Sequence, residues 1–235
     1  MSKRTHPGSN RVSKKTKRTR QNWLPRRYRN LVPMGFAPLG NSRAATLKYH
    51  FQHTMNPNQG QVDDVVVRAN DLYDPEVALG GHQPYGFDQL MTFYDHFTVL
   101  GSRITMSAFN SNGSLPVYIF IGLRDNNVSL YEEPVGDIHE QARTVKKLLT
   151  TNPSSKGAME LSMNFSAEKF FAKPKVAIVG DSLFRGDAGN SPLEQAYFHC
   201  MVGPYDTGND LAPMVVNIEI EYYAIFTEPK ILAKS

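Results

Sequence analysis

His50 and His53 stand three residues apart in "LKYHFQHTM", close enough to suggest two imidazole ligands for one metal ion. His199 adjoins Cys200, and an imidazole beside a thiol is the pairing of a nucleophilic catalyst. Glu132 adjoins Glu133, and Glu219 and Glu221 are two apart, so carboxylate pairs for acid–base work are present. "GDSLFRG", 180–186, puts a serine between glycines. Each reading weakens once the residues are placed on backbone. Strand residues three apart, like adjacent ones, point to opposite faces, so His50 and His53 do not share an ion and His199 does not reach Cys200. Cys200 is in phase with Phe198 and Val202 and reads as core packing. The glutamates read as exposed strand and loop charges. "GDSLFRG" has neither a Walker lysine nor a G-x-S-x-G elbow and reads as a loop. No catalytic residue, no metal and no cofactor is expected.

The charge distribution suggests a different chemistry. Residues 1–29 hold eleven cations: Lys3, Arg4, Arg11, Lys14, Lys15, Lys17, Arg18, Arg20, Arg26, Arg27 and Arg29. Residues 1–62 have 13 basic side chains and no acidic one, and the remainder has 13 basic and 22 acidic, so +13 and −9 make up the net +4. A basic arm ahead of an acidic body calls for a polyanion partner. Self-repulsion and little apolar surface predict disorder over the first 40 or so residues when free. Trp23 and Tyr28 lie among the arginines, where rings can stack on unpaired bases, so nucleic acid is the expected ligand of all thirteen residues. "KKTKR", with Lys14, Lys15, Lys17 and Arg18, also fits a nuclear-import patch. A membrane is not expected. Pro7, Pro25, Pro33 and Pro38 break any amphipathic helix, and no signal peptide, lipidation signal or spanning apolar run is present.

These residues need a scaffold, and the body spells one out with period two. Residues 44–55 set Leu47, Tyr49, Phe51 and Met55 against Thr46, Lys48, His50, Gln52 and Thr54. Residues 64–70 are short and β-branched. Residues 97–109 put Leu100, Ile104, Met106 and Ala108 in phase, and residues 116–124 are apolar on both faces, as in a central strand. Residues 142–150, 158–165, 195–202 and 214–227 complete eight strands, joined by segments rich in Gly, Pro, Asn and Asp. Such a count suggests an antiparallel sandwich or barrel. Phe87, Leu90, Met91 and Tyr94 keep helical spacing, and residues 137–142 suggest a second short helix. The single cysteine excludes an internal disulfide and fits a reducing compartment. The sequons at Asn112, Asn127 and Asn164 are then chance.

Several stretches together carry a family resemblance. "YGFDQLMTFYDHFTVLGSRITM" (85–106), "TVKKLLTT", "AMELSMNFSAEKFFAKPK", "NSPLEQAYFHCMV" and "VVNIEIEYYAIFTEPK", in this order behind a basic arm, resemble capsid proteins of circular, replication-initiator-encoding single-stranded DNA viruses, the circovirus-like group. The resemblance covers essentially the whole chain. One departure is an arm with Lys, Thr and Ser interleaved where typical circoviruses have near-continuous arginine.

The resemblance implies an all-β, eight-stranded antiparallel jelly roll with one or two short helices in its loops. It divides the chain into a DNA-binding arm, 1–42, and a shell domain, 43–235. It implies self-association of sixty copies in a T=1 icosahedral shell around a circular single-stranded DNA genome. Further implied partners are nuclear import receptors and a host-cell attachment factor of unknown identity, with a place in the virion and, during infection, the host nucleus. Tyr85, Phe93 and His96 fall off the helical stripe and are expected at subunit contacts, and loops 71–86 and 181–194 at the outer surface. The alternatives are a cellular nucleic-acid-binding protein with a basic tail on a β-sandwich, a metal-dependent cupin-type enzyme, and an exported lectin.

Overall fold

Alternating apolar residues force the chain into strands that each bury one face. In the computed structural model, which describes residues 39–78, 80–109, 115–150 and 159–231, eight such strands occur: β1 Ser42–Met55, β2 Asp63–Arg68, β3 Tyr94–Ala108, β4 Val117–Arg124, β5 Thr144–Leu149, β6 Met159–Ser166, β7 Tyr197–Pro204 and β8 Met214–Pro229. They form two four-stranded antiparallel sheets, ordered β1-β8-β3-β6 and β2-β7-β4-β5. Apart from β4 and β5, consecutive strands lie in different sheets. This is an eight-stranded jelly roll. The described residues belong to one compact unit.

The core lies between the sheets. From the first come Tyr49, Ile104, Met106, Ile218, Ile220, Tyr222 and Phe226; from the second come Val67, Ile119, Ile121, Phe198, Cys200 and Val202. At about 25 cal/mol per Å² of apolar area, burying one such side chain is worth roughly 1.5–3 kcal/mol. The outer face of the second sheet is covered as well: Phe120 and Met201 pack under Val62, Leu130, Val135 and Ile138. That explains why β4 is apolar on both faces. The outer face of the first sheet stays open and carries the polar half of each alternation.

Four details differ from the sequence expectations. The helix foreseen through Tyr94 ends at Met91: α1 is Phe87–Met91. Tyr94 instead opens β3 opposite Pro229 of β8, because pairing with a 16-residue strand outweighs one more helical turn. The β3–β8 register shifts between Val99 and Gly101, so Phe97 and Val99 are buried before the bulge, and Ile104, Met106 and Ala108 after it. A bulge adds one residue and reverses the phase, which leaves Leu100 only half-buried. One or two helices were expected, but the described residues hold four: α1, α2 Val135–Glu140, α3 Ala167–Phe170 and α4 Lys175–Gly180. Finally, "GDSLFRG" is not plain loop. Ser182–Phe184 is a 3₁₀ turn whose Asp181 carboxylate accepts the Leu183 N–H, with Phe184 buried beneath.

Candidate interaction surfaces

The residues that first suggested catalysis are dispersed by this architecture. His50 is exposed on the outer face of β1, while His53 has the inward phase of Tyr49 and Phe51. Among the described residues no group of three or more His, Cys, Asp or Glu is gathered as a metal would need. Cys200 is a free, fully buried thiol, whose pKa is pushed well up by burial and, secondarily, by the Asp64 charge. Its neighbour His199 faces the opposite side of β7. There Nδ1 lies 3.0 Å from Asp64 Oδ2, and Nε2 lies 3.0 Å from the Asn126 carbonyl oxygen. Asp64 Oδ2 also accepts the Leu130 N–H at 2.8 Å. The pair is wholly buried and ties β2, β7 and the loop after β4 together. Its place is structural.

The carboxylate pairs fare likewise. Glu132, at φ 67, accepts from the Asn58 side-chain amide at 3.2 Å. Glu219 and Glu221 flank Lys48 at 3.1 and 2.7 Å across the β1–β8 ladder. Lys48 holds the Glu221 carboxyl below its usual range, and the two glutamates raise the Lys48 amine. Strand register extends this into a row across the open face, Lys48–Glu221–Arg103–Asn164, with alternating charge. Opposite charges across strands steady the exposed sheet.

A denser network lies at the β2 end. Arg68 Nη1 donates to the Asp74 carboxylate at 2.7 Å and to the Asp74 and Glu76 carbonyls at 2.6 and 2.8 Å. The Arg68 carbonyl accepts the Tyr222 hydroxyl at 2.8 Å. Tyr49 donates its hydroxyl to Glu76. Asp71 is completely buried here. Burial pushes its carboxyl up to about 6, against hydrogen bonds from Ser191 and the Tyr73 N–H and the nearby charge of Arg68.

Tyr85 is 96% exposed and Phe93 41%. His96 meets Glu228 at 3.6 Å. Val176 at 84% and Leu193 at 81% are exposed apolar side chains that sequence reasoning missed. Val176 sits on α4, whose four-residue apolar run in "KVAIVG" reads as interior, and only Ile178 of that helix is fully buried. The arm residues Lys3 through Arg29, with Trp23 and Tyr28, lie outside the described residues, as does Asn112. Asn127 and Asn164 are exposed.

No family model matches the sequence, and no curated protein matches it. Solved viral structures overlay on the fold. A decameric BFDV capsid protein is 10% identical, with 80% of this chain and 99% of that one covered and a TM-score of 0.43. Tobacco necrosis virus is 13% identical, covering 82% and 85%, at TM-score 0.45. A semi-empty virus-like particle of Macrobrachium rosenbergii nodavirus is 10% identical, covering 84% and 100%, also at 0.45. At these values the fold assignment rests on the strand order, not on the overlays.

Proposed function

We propose that this chain is the coat protein of a small circular single-stranded DNA virus of the circovirus-like group, and that its work is assembly rather than catalysis. The observation that carries the reading is a jelly roll with the β1-β8-β3-β6 and β2-β7-β4-β5 sheet order that starts at Ser42, behind 41 residues with eleven cations and no anion. Jelly rolls serve viral shells and lectins alike. A lectin has no use for such an arm, whereas a shell must neutralise the strand it encloses.

In this reading the shell is T=1, with sixty copies. The thirteen arm residues bind the genome through counterion release and base stacking, a mode independent of sequence and weakened by salt. The acidic remainder keeps the strand on the arm. Tyr85, Phe93 and His96, joined by Val176 and Leu193, supply aromatic and apolar anchors between subunits, as interface cores do. Lys14, Lys15, Lys17 and Arg18 recruit import receptors, and their change to Ala is expected to abolish nuclear accumulation of the chain.

Nuclease protection tests the reading. The purified full-length chain is expected to sediment as a large particle whose nucleic acid survives nuclease at low salt. A monomer or small oligomer whose bound nucleic acid is fully digested would favour a cellular nucleic-acid-binding protein with a basic tail.

A further inference from the structure

The acidic body is not acidic everywhere. Residues 142–180 hold seven cations, Arg143, Lys146, Lys147, Lys156, Lys169, Lys173 and Lys175, against Glu160 and Glu168 alone. The fold brings two of these cations to one cavity of about 210 Å³, where β4, β6 and α3 meet. Arg143 and Lys169 border it with Asn164 and Ser166, and Leu123, Phe165 and Phe170 form apolar walls. The Arg143 guanidinium carbon lies 5.1 Å from the centre of the Phe170 ring. Among the described residues neither Arg143 nor Lys169 joins an ion pair. Glu168, next to Lys169 in sequence, accepts the Lys175 backbone N–H at 2.8 Å.

Arg143 also occupies a backbone position that suits another residue better. Its φ is 56°, in the left-handed region where Gly or Asn is at ease and a long side chain is strained. The turn itself needs only the backbone, since the Arg143 carbonyl accepts the Leu123 N–H at 3.1 Å. The turn therefore leaves the side chain free to face the cavity. A guanidinium lying against one aromatic ring is a ready stacking surface for a second planar group.

We propose that this corner is a nucleotide-binding site on the shell domain, where a base of the packaged single strand stacks on Arg143 and Lys169 neutralises an adjoining phosphate. The proposal rests on the coat-protein reading and adds to it a contact outside the arm. The size agrees: pockets that enclose a drug-sized ligand run to roughly 300–1,000 Å³, so this one takes a single base of a longer strand. Asn164 and Ser166 offer hydrogen bonds at its rim. The apolar walls favour a base over a sulfated sugar, which arrays of exposed cations suit better.

Photo-crosslinking to the full-length chain with a single-stranded oligonucleotide containing 5-iododeoxyuridine tests it. In the native chain, crosslinks are expected at Phe170 as well as at Trp23 and Tyr28. The double variant Arg143→Asn, Lys169→Gln is expected to keep its melting temperature and its arm crosslinks and to lose those at Phe170. Arg143→Lys, which keeps charge and fold but not the flat guanidinium, is expected to lose them too. Arm crosslinks with none at Phe170, or Phe170 crosslinks undiminished in both variants, would overturn the site and leave the coat-protein reading standing. Absence of arm crosslinks as well would count against that reading itself. A double variant that loses retention on heparin yet keeps its Phe170 crosslinks would assign the corner to sulfated polysaccharide and overturn the proposal.

Discussion

His199 is held on both ring nitrogens, by Asp64 and by the Asn126 carbonyl, with no exposed surface. Truncating it to Ala leaves the Asp64 carboxylate buried with only the Leu130 N–H on its Oδ2. Leaving a buried group without its hydrogen-bond partner costs about 1–3 kcal/mol, and more for a charged one, so His199→Ala should lower the stability read from urea unfolding of the purified chain by at least that much. Asp71 gives a prediction of a different kind. Its folded value of about 6 lies above the ordinary 3.8, so between these the folded chain holds a proton that the unfolded chain has released. The contribution of this group to stability is therefore fully present below pH 4 and is lost as pH rises through 6, by about 3 kcal/mol. Urea titrations at pH 4 and pH 7 should show that loss in the native chain and not in Asp71→Asn. An equal pH dependence in both would remove Asp71 as its source.

At the scale of elements, β8 carries the most weight, paired along its length with β1 and β3. Ile220 is fully buried at its centre, and Ile220→Asp puts an unpaired charge there. The variant should fail to fold, seen as loss of soluble product. Gly186 tests the junction of β3 with the loop before β7. It exchanges backbone hydrogen bonds with Phe97 at 2.9 and 3.0 Å, and a Cβ there would meet the Phe97 ring at 2.3 Å and the Asn190 carbonyl at 2.9 Å. Gly186→Ala should cost about 1–3 kcal/mol of overpacking, read from the same urea curves. The strands were legible in the sequence because one buried and one open face stamp period two on the residues, as in Val216, Ile218, Ile220 and Tyr222 against Asn217, Glu219 and Glu221. Leu100 misled because a bulge is set by the partner strand, not by local composition. The helices were less legible because each is only four to six residues long, too short for a 3.6-residue period to repeat. The Arg143 corner had only a faint signal, the basic and aromatic "AEKFFAKPK", since its other wall, Leu123, comes from β4 of the facing sheet and depends on how the two sheets pack.

At the scale of the whole molecule, charge is unevenly spread: +13 in the first 62 residues and −9 in the rest. Deleting residues 1–29 removes eleven cations and should abolish most single-stranded DNA binding, with a far shallower salt dependence of what remains, while the truncated chain keeps its melting temperature. Unchanged affinity would end the arm's role. The open face of the first sheet, with its Lys48–Glu221–Arg103 row, and the exposed Tyr85, Val176 and Leu193 leave ample surface for contacts between copies. The most direct measurement is electron microscopy of the purified full-length chain, with the nucleic-acid content of the same fraction. Uniform closed shells that contain nucleic acid are the predicted result. A monodisperse monomer at both low and high salt would contradict the account.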